Sequence, residues 1–296
     1  MRFHTFGNID NRKMILVHGV LTPWQIWNDA IEHFSKNYFV IVPALDGHIE
    51  EEASEYISVD DEAKKIISYV LDNYGEDIFA ICGLSMGGAI TYKIFESRRL
   101  NIQNVIMDGA PLLPLGKLPI WFMTKSYISI VHKSKKRDDK VIESFKKNFL
   151  PEKYLDSYLK FADTMSDNTI INMLNSVFRV AILESDNIDN SRIMFLHGTK
   201  GNEVVSAKAA KLMKEIYPQT VVKCFKGYAH AELAIYHSDE WIKTVDEFIE
   251  RAKGKYPSGN YKEGIVIRPL EPVYSKILEG PLSMKVINND YLLKQN

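Results

Sequence analysis

The stretch Gly83-Leu84-Ser85-Met86-Gly87 constrains this chain more than any other. It reads G-x-S-x-G. An apolar run, Ile78-Phe79-Ala80-Ile81-Cys82, precedes it, and Gly88-Ala89-Ile90-Thr91-Tyr92-Lys93-Ile94-Phe95 follows with helical spacing. Strand, tight glycine turn and helix together form the setting in which a serine is raised above a sheet on a sharp elbow. The glycines let strand and helix pass too closely for a Cβ, and the apex serine is held in strained backbone geometry.

Around this elbow, strands alternate with helical patterns. Arg12 to Val17 is a short apolar strand ending in His18-Gly19-Val20, and Tyr38 to Pro43 is the next strand. A helix is expected from about Trp24 to Lys36. Another is expected from Val59 to Tyr74, with Asp60 and Asp61 in its first turn and Gly75 beyond its end. Val105-Ile106-Met107 continues the strands, followed by Ser191 to Leu196 and Thr220 to Phe225. Helices are expected at Ser206 to Tyr217 and from about Ser238 to Lys253. Continuous apolar strands alternating with helices imply a mostly parallel α/β sheet covered on both faces.

With 296 residues the chain suits one large domain, or one domain plus an appendage. A formal net charge of -1 supplies no whole-protein field for nucleic acid or an acidic membrane. The basic stretch His132-Lys133-Ser134-Lys135-Lys136-Arg137 has no interleaved aromatics and reads as a solvated face. Cys82 and Cys224 both fall in expected strands, where they read as small buried hydrophobes in a reducing, cytoplasmic setting. The apolar region from Pro111 to Met123 is broken by Pro114, Gly116, Lys117 and Pro119, so no membrane-spanning helix is expected there. No phosphate-binding loop, H-E-x-x-H motif or zinc-spaced cysteine pair occurs, and neither metal nor cofactor is expected.

Over about residues 10–253 the chain resembles the α/β-hydrolase family. The resemblance rests on the Ser85 elbow, His18-Gly19-Val20, the strand ending in His197-Gly198, and Gly227-Tyr228-Ala229-His230 after the last strand. It implies Ser85 as nucleophile and His230 as its base, in the chain order serine, acid, histidine. It also implies backbone N–H groups of Val20 and Met86 as the oxyanion hole, with Met86 at a helix N-terminus. His18, His48 and His197 read as makers of structural hydrogen bonds near the site.

The acid is open. The loop Gly198-Thr199-Lys200-Gly201-Asn202-Glu203 carries no aspartate, and Glu203 is its one carboxylate. Asn202 could stand where the acid usually does. Asp108, at the end of an earlier strand, is the alternative acid.

The family also places a helical lid after the strand ending at Asp108, here about residues 112–190. Trp121, Phe122, Met123 and Tyr127 in that lid would line an apolar pocket, with Trp121 and Phe122 the candidate contacts for a small apolar acyl substrate. The implied activity is hydrolysis of a carboxylic ester or similar acyl bond through an acyl-serine. Alternatives within the same fold are a C–C hydrolase, an aminopeptidase, or a non-catalytic small-molecule binder that has lost its acid.

Past Lys253 the composition changes to a linker-like stretch, Gly254 to Asn260. Glu263-Gly264-Ile265-Val266-Ile267-Arg268-Pro269 and Leu282-Ser283-Met284-Lys285-Val286-Ile287-Asn288 look like the last two motifs of ATP-dependent RNA ligases, with Glu263 and Lys285 at the matching positions. The K-x-[D/N]-G nucleophile motif of those enzymes is absent. Residues 254–296 therefore read as a remnant, about 40 residues being too few to bury a core alone.

Overall fold

Strand identity follows from burial on two faces. The six apolar runs noted above, joined by Arg2–Phe6, form a seven-stranded sheet in the order β1-β3-β2-β4-β5-β6-β7. The strands are β1 (Arg2–Phe6), β2 (Lys13–Val17), β3 (Phe39–Ala44), β4 (Asp77–Leu84), β5 (Asn101–Asp108), β6 (Arg192–Gly198) and β7 (Val221–Phe225). β1 pairs with β3 antiparallel, and the remaining pairs are parallel. Met14 to Val17 and Ile78 to Cys82 are buried throughout, as strands covered on both faces must be. The computed structural model describes residues 1–183 and 191–250, with short strands at 264–267, 274–275, 280–281 and 284–287.

Between the strands run α1 (Asn28–Phe34), α2 (Val59–Tyr74), α3 (Met86–Ser97) and, after β6, α8 (Val204–Ile216). α2 starts and stops where its punctuation says: the Ser58 hydroxyl accepts from the Asp61 amide, and Gly75 leaves the helix at φ +79°. From β2 the chain turns to β3 on one side, while β4 lies on the other. The crevice beyond the carboxyl ends of β2 and β4 is the switch point at which open α/β sheets carry their sites.

The insertion between β5 and β6 holds α4 (Lys117–Lys135), α5 (Asp139–Asn148), α6 (Leu155–Thr164) and α7 (Asp167–Val177). α4 begins at Lys117, inside the apolar region that the sequence breaks with Pro114, Gly116, Lys117 and Pro119. Pro119 is no obstacle, because it lies in the first turn, where amides have no intrahelical partner anyway. Ile120, Thr124, Val131 and Ser134 are its buried face, and α6 and α7 pack against it. Phe145, Tyr158 and Phe161 form an aromatic stack beneath α5 and α6.

One expectation is corrected at the edge of the sheet. Cys82 is buried in central β4, but Cys224 is exposed. β7 is an edge strand with one wet face, so alternate residues along it meet solvent.

The chain falls into two units, Met1–Ile242 and Lys243–Asn296. After β7 the first unit adds the short α9 (Glu232–Tyr236), and the unit boundary lies within α10 (Ser238–Glu250). In the second unit, β8 (Gly264–Ile267) pairs antiparallel with β11 (Met284–Ile287). β9 (Tyr274–Ser275) pairs in the same sense with β10 (Gly280–Pro281). The linker 254–260 and Glu263 lie outside the described residues.

Candidate active site

Ser85 follows β4 directly and has φ +54° and ψ −114°. No side chain adopts this conformation without cost, on the order of 1–3 kcal/mol, so the surroundings must hold it. They do so through the Ser85 amide, which donates to the Asp108 carbonyl at 2.7 Å, and through α3, which begins at Met86. The flanking glycines explain the motif. A Cβ on Gly83 would stand 2.2 Å from the Gly87 carbonyl oxygen, and one on Gly87 would stand 2.3 Å from that of Val17.

His230 arrives on the loop after β7. Its Nε2 lies 2.8 Å from Ser85 Oγ, and its Nδ1 lies 2.5 Å from Glu203 Oε1. Glu203 closes a single 3-10 turn, Gly201–Glu203, between β6 and α8, and its side chain is buried. The second carboxylate oxygen accepts the Gly198 amide at 3.0 Å. A carboxylate can only accept, so Nδ1–H donates to Glu203 and Nε2 is left to accept from the serine hydroxyl. Asn202 does not take the acid's place. Its Oδ1 accepts the His230 backbone amide at 3.1 Å, tying the histidine loop to the acid loop.

Asp108 is close by in a different environment. It is buried, and its Oδ2 has no hydrogen-bond partner among the described residues. Burial, then the charge of Glu203, push its carboxyl up to about 7, against the opposing pull of His230 and the Trp241 indole. Gly109 follows at φ +62°, and a Cβ there would stand 2.9 Å from His230 Cε1 and 3.1 Å from Nδ1. The imidazole therefore rests on a backbone position that only glycine leaves open.

Residues 19–22 wrap the other side of Ser85. A Cβ on Gly19 would be 3.3 Å from Ser85 Cβ. Thr22 Oγ1 accepts the Gly19 amide at 3.0 Å, and His48 Nε2 accepts the Leu21 amide at 3.1 Å. His18 Nε2 accepts the Leu45 amide at 3.1 Å. Both rings are buried, and desolvation lowers both pKa values, His48 to about 4 and His18 well below its ordinary range. His197 Nδ1 meets the Gly198 carbonyl at 2.7 Å. Val20 lines the cavity above Ser85, and Met86 is the first, fully buried residue of α3.

The cavity has a volume of about 1070 Å³ and is reached by both Ser85 and His230. Leu115, Met123, Tyr127, Phe149, Leu174 and Phe178 supply apolar wall from the insertion. Trp121 and Phe122 are not among its lining residues; they are 53% and 60% exposed on the outward face of α4. A helix turns about 100° per residue, so Met123 and Tyr127 face in where Trp121 and Phe122 face out. The sequence reading named Met123 and Tyr127 for this wall but not Leu115, Phe149, Leu174 or Phe178, which come from separate segments that no local pattern links.

Asp46, Asp61 and Glu62 are grouped tightly enough to suit a cation, and none of them lines the cavity at Ser85. Lys65 already fills that role, with Nζ 2.5 Å from Asp46, 2.6 Å from Asp61 and 3.5 Å from Glu62. Met1 bonds Asp46 through its ammonium group. Burial and the Asp46 charge push Glu62 up to about 8.

No family model matches the chain, in the sheet region or in the tail. No curated protein matches it either. Solved structures do. An α/β-hydrolase family protein from Desulfitobacterium hafniense superposes with a TM-score of 0.66 at 19% identity, over 83% of this chain and 99% of that one. A carboxylesterase structure from the thaumarchaeon Nitrososphaera gargenis gives 0.65 at 14%, over 84% and 93%. An esterase from Exiguobacterium antarcticum gives 0.61 at 14%, over 84% and 94%. At such identities the likeness carries architecture and not activity. The likeness spans more than four fifths of the chain, and the chain has the α/β-hydrolase fold.

Proposed function

We propose that this protein is a serine hydrolase cleaving a carboxylic ester or similar acyl bond through an acyl-enzyme. The observation that carries the reading is the unbroken hydrogen-bonded line from Glu203 through His230 to Ser85, with 2.5 Å and 2.8 Å between the heavy atoms. A serine hydroxyl is a poor nucleophile until a base within reach takes its proton. Here Ser85 Oγ attacks the carbonyl carbon as its proton passes to His230 Nε2. Glu203 holds the ring in the tautomer that makes this possible and stabilises the imidazolium that forms.

The tetrahedral oxyanion is met by the amides of Val20 and Met86, the second at the positive end of α3. Collapse breaks the acyl–oxygen bond, and the leaving alcohol takes the proton from His230. Water then repeats the cycle on the acyl-serine, giving up a proton to His230 and releasing the acid and Ser85. The acyl portion occupies the apolar cavity bounded by Met123 and Tyr127. The chemistry uses no cofactor.

Two unpaired cysteines, one buried and one exposed, suit a reducing cytoplasmic setting. The tail keeps its likeness to RNA-ligase motifs in sequence alone. Lacking the K-x-[D/N]-G lysine, it forms no adenylyl-enzyme, so ATP and Mg²⁺ leave no covalent AMP on the chain.

Replacing Ser85 with Ala tests the proposal. The variant removes one oxygen and little packing, so it stays folded while hydrolysis of short p-nitrophenyl esters disappears. Activity within a few-fold of the unmodified protein ends the serine-hydrolase reading.

A further inference from the structure

The outward face of α4 is unlike the rest of the surface. Leu118, Trp121, Phe122 and Lys125 follow the i, i+3, i+4, i+7 spacing that places side chains on one helix face. The three apolar members are 65%, 53% and 60% exposed. Trp121 and Phe122 meet edge to face with ring centroids 4.9 Å apart and form an exposed ridge. Lys117, Lys125, Lys133 and Lys136 surround or continue this ridge, all exposed, and none has a carboxylate within ion-pair reach among the described residues. α4 itself contains no Asp or Glu. On α4 itself His132 meets Asp167 and Lys135 donates to the Met165 carbonyl, and beyond it Arg137 pairs with Asp163 and Lys146 with Glu143 and Glu152.

The imbalance extends beyond one helix. Residues 112–149 hold nine Lys and Arg against three Asp and Glu, a net +6 in a chain whose total is -1. The remainder is therefore acidic, and the molecule carries a charge asymmetry that orients the insertion toward a negative surface.

We propose that the outward face of α4 docks this protein on an anionic lipid bilayer. Trp121, Phe122 and Leu118 enter the interfacial region, where amphipathic aromatic rings are favoured, and the lysines reach lipid phosphates on flexible stems. A second copy of the chain is the poorer occupant: a two-fold contact through this face sets lysines against lysines. The opposite side of the same helix walls the cavity with Met123 and Tyr127. Lipid docking thus brings an acyl-binding cavity to a source of acyl chains. That consequence rests on the hydrolase reading, whereas the docking itself does not.

The test is vesicle sedimentation of the full chain in its Ser85→Ala form, so that no lipid is consumed. Vesicles of phosphatidylcholine alone are compared with vesicles of equal parts phosphatidylcholine and phosphatidylglycerol. Each lysine near an anionic surface is worth about fivefold in binding, so affinity for the anionic vesicles exceeds the neutral ones by more than tenfold and falls with added salt. Trp121→Ser with Phe122→Ser, and separately Lys125→Gln with Lys133→Gln, each lower it by about tenfold or more. Trp121 fluorescence shifts to the blue on binding and is quenched by brominated lipid; Trp27 and Trp241 are buried and Trp24 is half-buried, so the response is read as the difference from Trp121→Phe. Equal binding to both vesicle types, no binding, or binding unchanged by both pairs of substitutions overturns the proposal. So does a dimer in solution that Trp121→Ser converts to monomer, which makes the ridge a protein interface. Ester hydrolysis by the unmodified enzyme is measured apart, so that either reading can fail alone.

Discussion

His48 accepts the Leu21 amide through Nε2 at 3.1 Å, so a histidine 27 residues along the chain holds the loop that carries Val20. Leu21 needs such a clamp, since it sits at φ +53°. If the Val20 amide serves the oxyanion, His48→Ala lowers kcat for a p-nitrophenyl ester by about 10- to 100-fold, short of the 10²–10³ typical of losing an oxyanion donor outright. KM moves little, because the loss is felt at the transition state. Steady-state kinetics decides; unchanged kcat separates the loop from catalysis.

The same histidine gives a pH dependence with a definite sign. Its pKa falls to about 4 in the folded chain, from an ordinary 6.5. The unfolded chain then binds more protons between these values, so this contribution is full above pH 6.5 and is lost as pH falls toward 4. It amounts to about 3 kcal/mol for His48, with His18 adding in the same direction. Asp108 and Glu62 act oppositely in an overlapping window, so the readout is the stability difference between the unmodified protein and His48→Gln. Denaturant melts should show that difference growing from pH 4 to pH 6.5. A flat difference contradicts the burial argument.

The two carboxyls near His230 separate by environment. Glu203→Gln keeps the shape but not the charge, and lowers turnover by about 10²–10⁴. Asp108→Asn changes turnover by no more than a few-fold. Folded Asp108 holds its proton up to about pH 7 where the unfolded side chain releases it near 3.8, so it costs stability as pH rises through that window. Asp108→Asn should therefore be more stable than the unmodified protein at pH 8. Reversed kinetic effects would move the acid to Asp108.

Gly109→Ala tests the seat of the imidazole. The added methyl must displace a ring only 2.9 Å away, at a φ that disfavours alanine. Turnover falls by about 10²-fold, the cost of a misplacement near 1 Å. Stability falls by roughly 1 kcal/mol. A fluorescence melt beside a rate assay separates the two effects; full activity would show the ring is free to move.

Local features were legible in the sequence, and features depending on distant partners were not. The Ser85 elbow announces itself because its serine and glycines fall within five consecutive residues, although the clash that Gly87 avoids is with Val17. The α2 boundaries do so because Ser58 and Gly75 cap locally. β1 escaped notice: Arg2–Phe6 becomes a strand only by pairing with β3 some forty residues on. α9 is five residues long, too short to show a period. The phase of α4 was hidden because Thr124 and Ser134, both polar, belong to its buried face. Trp121, Phe122, Met123 and Tyr127 were all legible as apolar lid residues, but which two of them face the cavity depends on that phase. Glu203 could be named from its loop, but its choice over Asp108 depends on side-chain geometry across three strands.

The most direct test is the mass of the full-length protein after treatment with a fluorophosphonate, followed by peptide mapping. A single adduct on Ser85 is expected, absent from Ser85→Ala and slowed in Glu203→Gln. No adduct, or one on another residue with Ser85 unmodified, would contradict the assignment of Ser85 as the nucleophile.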